Sequence, residues 1–566
     1  MLTGRHNKTQ RTKARQPQQQ LETSTVRVFD GGLNLANNDL NMEPKFARVL
    51  DNIERALDGS LAVRPGTTYL GNVDNWGNSN DIINCTYFNG YIICVQSNGA
   101  ITKTDGSGVT TQMLLGGVNP WVTPITVANF ATFNSDLIIV NGNDKPLIIA
   151  GVPSNPNYMT LQFLVDLASL SNINTPVGSY VVTHGQYLII AGVSNALSTI
   201  YISAKGTSGT FTSDPPPNDA ITLDLGSRVS VGSSTITGLV AYRDKLIVTF
   251  ERGAIPLNLG NYTGSPTVHT PTDDGFIEEY GCQSHRSLVA VSDEAFFCDN
   301  IGINAIQRVA PFNTLKPIRA SQNVAPDYID HVKLLTTAEM AQRMFAVYDL
   351  RNKRYMLFVP VKDNLGNITE TIVYSYTNIA NPLVRAWARL RGWNFRSACR
   401  TSLENVIFSR GTKLYYYDFD AVNRSLDRFG DPAVNSGNGE SITFDWELPW
   451  ADFQKRMHVK LSKFLALDTQ GTGVFTAEMY IDNIRNENGV KTPILTMDFI
   501  GGEAGGYGNT PFGSTPFGGG RMSADERLYP WDARFKIMKL RFKGTTAAPV
   551  KFVSISIGYI RGTVRR

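Results

Sequence analysis

The sequence has no apolar run of the roughly twenty residues needed to cross a bilayer, so we expect no membrane span. Charged residues are also scarce, at 18 % of 566, and 53 lysines and arginines face 49 aspartates and glutamates. A protein that grips nucleic acid along a groove is normally more basic. The composition therefore favours neither a membrane protein nor a groove-type nucleic-acid binder.

The chain also lacks the usual signatures of cofactor and metal sites. It contains no P-loop, no dinucleotide fingerprint and no nucleophile elbow. Its five cysteines have no CxxC spacing and its six histidines form no His-x-x-x-His pair. We therefore expect no cofactor and no metal. The first twenty residues lack the apolar segment of a secretory signal, so we expect synthesis in a cytoplasm with reduced cysteines.

One cluster of carboxylates is a candidate catalytic site. Asp273, Asp274, Glu278 and Glu279 lie within one short stretch, and two carboxylates about 5–10 Å apart can hydrolyse a glycosidic bond. Adjacent acids in a loop more often form a solvated or charge-complementary edge. The sequence therefore predicts a protein that is not an enzyme.

What the chain does have is glycine, 50 residues of it, and a repeated pattern of short apolar strands and polar turns. Seven similar units start about 45–60 residues apart, near the blade period of a β-propeller. The pattern predicts an all-β protein with a propeller of six to eight blades; an array of β-sandwiches is the alternative. Each unit has an apolar strand centre, which we expect at equivalent inner positions of successive blades: Ile92, Ile138, Ile189, Ile247, Phe297, Phe358 and Ile407.

Composition divides the chain into three parts. Residues 1–24 are polar and basic, which predicts a disordered arm. Residues 25–430 contain the repeats and are predicted to form the propeller. Residues 431–566 follow a Pro/Gly/Ser/Asn linker and are predicted to form a C-terminal β-sandwich. Apolar residues at helical spacing between Phe46 and Leu57 predict a short amphipathic helix before the propeller.

Two segments outside the strands are candidates for contacts with partners. The arm is either an inert tail or a docking segment for a partner or for phosphates, through Arg5, Lys8, Arg11, Lys13 and Arg15. The glycine-rich loop 501–521 is either packed on its own subunit or a gate or contact loop with aromatic tips at Tyr507, Phe512 and Phe517.

The segment from Val26 to Leu70 resembles the N-terminus of the nozzle proteins of short-tailed bacteriophages, the tail tubular protein B family. The positions that carry the resemblance are Gly31, Gly32, Asn34, Pro44, Asn52, Gly59 and Arg64-Pro65-Gly66. The C-terminal strand with its basic Gly-Arg end is also similar to phage tail proteins. The basic arm and the Gly/Phe-rich loop depart from the family pattern.

The resemblance implies a structural virion protein in the tail. It implies a six-fold ring at the distal end, below an adaptor ring and beside the tail fibres, with double-stranded DNA leaving through the lumen of the ring. It also implies that Arg64-Pro65-Gly66 turns the chain from an N-terminal segment into the first blade. A near-neutral surface suits a channel through which a duplex must slide, because each neutralised phosphate adds affinity.

Two other functions stay open from the sequence. One is a propeller that binds or cleaves cell-surface glycan, with Tyr415, Tyr416, Tyr417 and Trp393 stacking on sugars, although in blade strands these residues are better placed in the core. The other is a monomeric plug that seals packaged DNA at the adaptor. The mass of the assembly and activity on polysaccharide would distinguish them.

Overall fold

A computed structural model describes the greater part of the chain. It covers residues 21–73, 80–105, 110–121, 124–151, 159–164, 175–212, 220–229, 234–259, 271–291, 294–309, 314–379, 384–417, 426–427, 439–454, 457–471, 473–482, 492–500, 529–530, 533–547 and 549–562. These residues form a β-propeller and a β-sandwich, which confirms the predicted fold class.

Seven antiparallel units in chain order form the blades of the propeller. Blades 1 and 2 consist of Ile82–Phe88, Tyr91–Gln96, Ile101–Thr104 and Thr110–Met113, then Asn129–Phe133, Asp136–Val140, Leu147–Gly151 and Met159–Phe163. Blades 3 and 4 consist of Tyr180–His184, Tyr187–Val193, Ala196–Ile202 and Ile221–Asp224, then Ile236–Tyr242, Lys245–Phe250, Gly253–Asn258, Thr272–Asp273 and Ile277–Glu278.

The remaining blades follow the same order, and the last one borrows a strand from the N-terminal part of the chain. Blades 5 and 6 consist of Val289–Val291, Glu294–Cys298, Ile303–Val309 and Thr314–Arg319, then Phe345–Asp349, Arg354–Lys362, Ile368–Ile379 and Val384–Trp393. Blade 7 consists of Ser397–Arg400, Val406–Arg410, Lys413–Tyr417 and Thr67–Asn72.

The turns inside the blades explain why the strands pair as hairpins. In blade 1, Asn89 and Gly90 both adopt positive φ, 47° and 87°, between the paired residues Phe88 and Tyr91. This is the two-residue turn whose twist matches antiparallel strands. Asn134 and Arg243 take the left-handed conformation at the corresponding hairpins of blades 2 and 4.

An apolar cluster between each pair of neighbouring blades holds the ring together, and the seventh cluster joins blade 7 to blade 1. All seven predicted strand centres lie buried in the second strands of the seven blades. Five of them face the following blade. Ile92 and Phe297 face the preceding blade, so their predicted register is wrong by one residue, and Ile93 and Phe296 take the equivalent positions.

The first strand of each blade is the innermost one. These strands contact one another in succession from blade 2 around the ring to blade 1. Between blades 1 and 2, the Asn84 side chain donates a hydrogen bond of 2.8 Å to the carbonyl of Ala128, the residue before the first strand of blade 2. Because every blade repeats the same up-and-down order, the innermost strands run in one direction and begin at one end of the axis.

The ring closes through strands that are far apart in sequence. Thr67–Asn72 pairs antiparallel with Lys413–Tyr417 as the outermost strand of blade 7. Arg64-Pro65-Gly66 therefore leads into the closing strand of the last blade, and the expectation that it leads directly into the first blade is wrong. The chain enters blade 1 only after this strand.

The sandwich is built from both ends of the chain. One sheet contains Leu21–Val26, Ile53–Arg55, Leu61–Val63, Lys460–Gly471, Tyr529–Pro530, Arg534–Phe535 and Val550–Arg561. The other contains Val49–Asp51, Glu440–Glu447, Val474–Ile481, Leu495–Ile500 and Met538–Thr546. Short strands Gly32–Leu33, Phe46–Ala47 and Leu426–Asp427 connect this sheet to blades 6 and 7.

Three sequence predictions therefore need correction. The propeller does not begin at residue 25, because the strands up to Val63 belong to the sandwich. Residues 21–24 of the predicted arm are part of the strand Leu21–Val26, which pairs with Ile555–Ile560. The predicted helix near Phe46–Leu57 is replaced by three short strands, because Leu50 and Ile53 pack into the sandwich core instead of along one helix face.

Two short helices, Ala325–Val332 (α1) and Thr337–Arg343 (α2), connect blades 5 and 6. A capping box starts α2: the Thr336 hydroxyl accepts from the Glu339 amide, and the Glu339 carboxylate accepts from the Thr336 amide. Three 3-10 turns occupy Asp39–Asn41, Gly226–Arg228 and His285–Ser287. In the described ranges, neither α-helix has the length and apolar character needed to span a membrane.

Candidate functional site: the junction of propeller and sandwich

Gly32, Asn52 and Arg64, three of the residues that carry the family resemblance, lie where the two domains join. Pro44 is exposed, and Gly59 lies in the turn between the sandwich strands Ile53–Arg55 and Leu61–Val63. Arg64 lies between the sandwich strand Leu61–Val63 and the closing propeller strand Thr67–Asn72. Its side chain is only 1 % exposed. A guanidinium this deeply buried requires a partner for its charge and for each of its N–H groups.

All five N–H groups of Arg64 find acceptors. Nη1 and Nη2 donate to the two carboxylate oxygens of Asp427 at 2.9 and 2.5 Å. They also donate to the carbonyls of Pro65 and Arg391, both at 3.2 Å, and Nε donates to Asn52 Oδ1 at 2.9 Å. This two-pronged contact with a carboxylate is specific to arginine, because lysine has no planar fork of donors.

Trp393 completes the surroundings of this ion pair. The Arg64 guanidinium lies 4.4 Å from the centre of its ring, within range of a cation–π contact. The indole N–H of Trp393 donates to Asp427 Oδ1 at 3.2 Å. Trp393, Tyr415 and Tyr417 are buried in the core, as the sequence favoured, whereas Tyr416 is only half-buried.

Asn52 connects the sandwich to blade 6. Its φ of 57° is left-handed, a conformation that asparagine tolerates better than most residues. Its Nδ2 donates to the Thr443 carbonyl at 2.7 Å, and its Oδ1 also accepts from the Arg391 amide at 2.8 Å. One side chain thus contacts Arg64, the sandwich and the propeller.

The two motif glycines allow close approach of the N-terminal segment. A Cβ on Gly32, whose φ is +64°, would lie 2.6 Å from the backbone N and O of Trp387 in blade 6. A Cβ on Gly31 would lie 2.5 Å from the Phe46 ring. A side chain at Gly32 would push the segment off the propeller, whereas a side chain at Gly31 would disturb the packing of the segment on its own Phe46.

A second buried ion pair at the junction was not foreseen from the sequence. Glu54, in the sandwich, pairs with Arg354 of blade 6, and both side chains are at most 6 % exposed. Ser375 and Tyr417 donate to the Glu54 carboxylate at 2.7 and 3.1 Å, and Arg354 also donates to the Arg55 carbonyl at 2.9 Å. The strand Ile53–Arg55 contains two adjacent charged residues, and their pattern does not show that Glu54 pairs with a distant arginine.

A third ion pair extends the junction to helix α1. Arg389 donates to both oxygens of Asp51 at 2.6 and 3.0 Å and to Asp327 at 2.8 Å. Burial alone would lower the pKa of Arg389, but these two carboxylates outweigh it and raise the pKa above its ordinary value. The junction is therefore a packed, charge-matched joint, suited to holding two domains in one fixed arrangement.

Two of the four carboxylates considered for catalysis, Asp273 and Asp274, are engaged in ion pairs, and Glu278 and Glu279 are exposed. Asp273 pairs with Arg228, and Asp274 pairs with Lys245. Two carboxylates committed to cationic partners are poorly placed to act as the acid and nucleophile of a glycosidase. In the part of the chain that the structure describes, no group of three or more His, Cys, Asp or Glu side chains is placed to hold a metal.

The other predicted contact residues lie outside the described residues. These are the arm residues Arg5, Lys8, Arg11, Lys13 and Arg15 and the loop aromatics Tyr507, Phe512 and Phe517.

The lowered pKa of His285 predicts how the free energy of unfolding depends on pH. Its Nδ1 accepts from the Leu239 amide at 3.2 Å, its ring packs on Tyr180, and burial together with Arg286 lowers its pKa to about 4. Below about pH 6.5 the unfolded chain takes up a proton that the folded chain refuses, so stability falls as the pH drops and levels off near pH 4. We expect a loss of about 3 kcal/mol between pH 7 and pH 4 from this residue.

Urea unfolding of the wild type and of His285→Gln at both pH values checks this. The glutamine variant should lose less stability on acidification by about that amount. Equal losses of stability in the two proteins would show that His285 is not responsible for the pH dependence.

Comparison with known proteins adds little beyond the fold. No family model matches the chain, and no curated protein matches its sequence. Among solved structures, the WD40 β-propeller domain of Doa1 is 8 % identical with a TM-score of 0.33, covering 63 % of this chain and 98 % of that one. Streptogramin B lyase is 10 % identical with a TM-score of 0.36, covering 62 % and 97 %.

The extracellular domain of the putative hybrid two-component system BT4673 from B. thetaiotaomicron is 11 % identical with a TM-score of 0.38, covering 85 % of this chain and 62 % of that one. Scores at this level say nothing about function. The seven-bladed architecture itself rests on the strand pairing and inter-blade clusters of this chain.

Proposed function

We propose that this chain is the structural nozzle subunit of a short bacteriophage tail. In this proposal six copies form the distal ring, contact the adaptor ring and the tail fibres, and surround the channel through which double-stranded DNA leaves. The chain is made in the host cytoplasm and resides in the virion.

One observation carries the proposal. Among the residues that resemble the nozzle family, Gly32, Asn52 and Arg64 lie at the buried junction of propeller and sandwich, and Pro65-Gly66 leads from Arg64 into the closing strand. A motif used in this way fixes the relative position of two domains. Such rigidity suits a subunit that must hold its shape in a ring while DNA passes.

The ionic contacts favour a structural role over the glycan-cleaving alternative. Asp273 and Asp274 are neutralised by basic partners, and the aromatic residues Trp393, Tyr415 and Tyr417 are buried away from any sugar. No observation favours the monomeric plug over the ring.

The test is the assembly state of the purified full-length chain, alone and with its adaptor, by mass photometry and electron microscopy. We expect rings of six copies and, in particles, density for this chain at the tail tip. A chain that stays monomeric with the adaptor would favour the plug and overturn the ring. Binding to or cleavage of host polysaccharide by the isolated chain would favour the glycan alternative.

A further inference from the structure

Three arginines converge where the innermost strands of consecutive blades begin. Arg286 precedes the first strand of blade 5, Arg343 ends helix α2 just before the first strand of blade 6, and Arg396 directly precedes that of blade 7. Asp81 occupies the matching place before blade 1. Because the innermost strands begin at one end of the axis, these four side chains share that end of the propeller.

Hydrogen bonds confirm that these positions are neighbours in space. Arg286 donates to the carbonyl of Arg396 at 2.7 Å and to that of Gln342, the residue before Arg343, at 3.2 Å. Its Nη2 also lies 3.4 Å from Asn84 Oδ1 of blade 1. Arg286 therefore reaches from blade 5 past blades 6 and 7 to blade 1.

The cluster has more positive charge than its surroundings neutralise. Asp81 pairs with Arg396 at 2.9 Å, whereas the contacts of Arg286 are to uncharged oxygens and to the face of the Phe345 ring. Within the described ranges the guanidinium of Arg343 has no hydrogen bond or ion pair, and the buried Nε of Arg396 has no acceptor. Three guanidinium groups thus face one carboxylate.

The electrostatics agree with this geometry. Burial lowers the pKa of Arg286 to about 9. The neighbouring Cys85 opposes this shift, and repulsion from Arg396 and Arg343 adds to it. The pKa of Arg396 is lowered for the same two reasons, burial and the charge of Arg343. A bound anion would relieve this repulsion.

We propose that Arg286, Arg343 and Arg396 form a binding site for a phosphate-type oxyanion at the end of the propeller axis. The net charge of three arginines and one aspartate matches a phosphate dianion, and guanidinium groups contact phosphate oxygens through paired N–H donors. Asp81 is half exposed, which leaves the cluster open to solvent on its side. The ligand is either free phosphate or the phosphate group of a nucleotide or nucleic acid.

The test is thermal unfolding of the full-length chain in inorganic phosphate and in chloride at equal ionic strength. We expect phosphate to raise the midpoint of the wild type by roughly 2–4 °C. Arg343→Gln should lose this rise. In chloride it should be at least as stable as the wild type, because it removes a repelling charge without breaking a described contact.

Arg400→Gln is the matched control, because Arg400 lies in the same innermost strand of blade 7 but pairs with Glu404 at the surface. It should keep the full phosphate response. An equal rise in wild type and Arg343→Gln would mean that phosphate acts only as a general stabilising salt, and would overturn the proposal.

Phosphorus NMR or equilibrium dialysis with labelled phosphate then counts bound phosphate, with one per chain expected in the wild type and none in Arg343→Gln. Competition by a short DNA duplex for the labelled phosphate would identify the phosphodiester as the source. Retention of phosphate in the presence of the duplex would identify free phosphate. Absence of bound phosphate in the wild type would refute the site.

Discussion

Replacing Arg64 by alanine is expected to lower the free energy of unfolding by about 3–5 kcal/mol, because it leaves the buried Asp427 carboxylate without its cation. The change also removes the hydrogen bond from Arg64 Nε to Asn52 Oδ1 and the cation–π contact with Trp393. Arg64→Lys should recover only part of the loss, since an ammonium cannot satisfy both oxygens of Asp427 and Asn52 in the same plane. Urea-induced unfolding measures both effects.

Arg400→Ala serves as the control for this change. Arg400 lies in blade 7 and, like Arg64, pairs with a carboxylate, here that of Glu404. Its side chain is 44 % exposed, so its removal should lower the free energy of unfolding by at most about 1 kcal/mol. In the double variant Arg64→Ala/Asp427→Ala the losses should not add, because the second change removes the unpaired charge. Additive losses, or equal losses for Arg64 and Arg400, would show that the joint contributes no special stability.

A polypeptide that starts at residue 431, the boundary suggested by composition, is expected not to fold. Both sheets of the sandwich would lack strands from the N-terminal part of the chain. The buried side chains of Phe29, Leu50, Ile53 and Leu61, which pack in the same cluster as Trp446, would also be missing. Each contributes about 1.5–3 kcal/mol, so their sum approaches the whole stability of a typical domain.

Co-expression with a polypeptide of residues 21–66 should restore folding, seen as a cooperative thermal transition and dispersed NMR signals. The same polypeptide carrying Leu50→Asp is the control and should fail, because it buries an unpaired charge. A cooperative transition of the 431–566 polypeptide alone would contradict this prediction.

The propeller could be predicted from the sequence because its information is local. Each blade is a series of hairpins whose turns, such as Asn89-Gly90, and apolar strands, such as Leu188 to Ile190, follow one another directly along the chain. The sequence does not predict which side of a blade each residue faces. In a strand buried on both sides, Ile92 and Ile93 are equally apolar, so nothing in the pattern shows which of them faces blade 7.

The junction could not be predicted, because its partners are distant in sequence. Arg64 pairs with Asp427 across 363 residues, and Glu54 pairs with Arg354 across 300 residues. Apolar residues from Phe46 to Leu57 fit a helix by spacing alone. Pairing of Val49–Asp51 with Glu440–Glu447 and of Ile53–Arg55 with Leu61–Val63 draws them into sheets instead. The motif showed which residues matter, but not what they contact.

The closing strand Thr67–Asn72 also sets the order in which the chain can fold during synthesis. It leaves the ribosome early, yet its partner Lys413–Tyr417 follows more than three hundred residues later, which takes tens of seconds at about 5–20 residues per second. The sandwich strands Leu21–Val26 and Leu61–Val63, which precede it, cannot pair with their partner strand until Val550–Arg561 is made. During this time their apolar faces lack a partner, so we expect the nascent chain to need protection from aggregation until Val550–Arg561 has emerged.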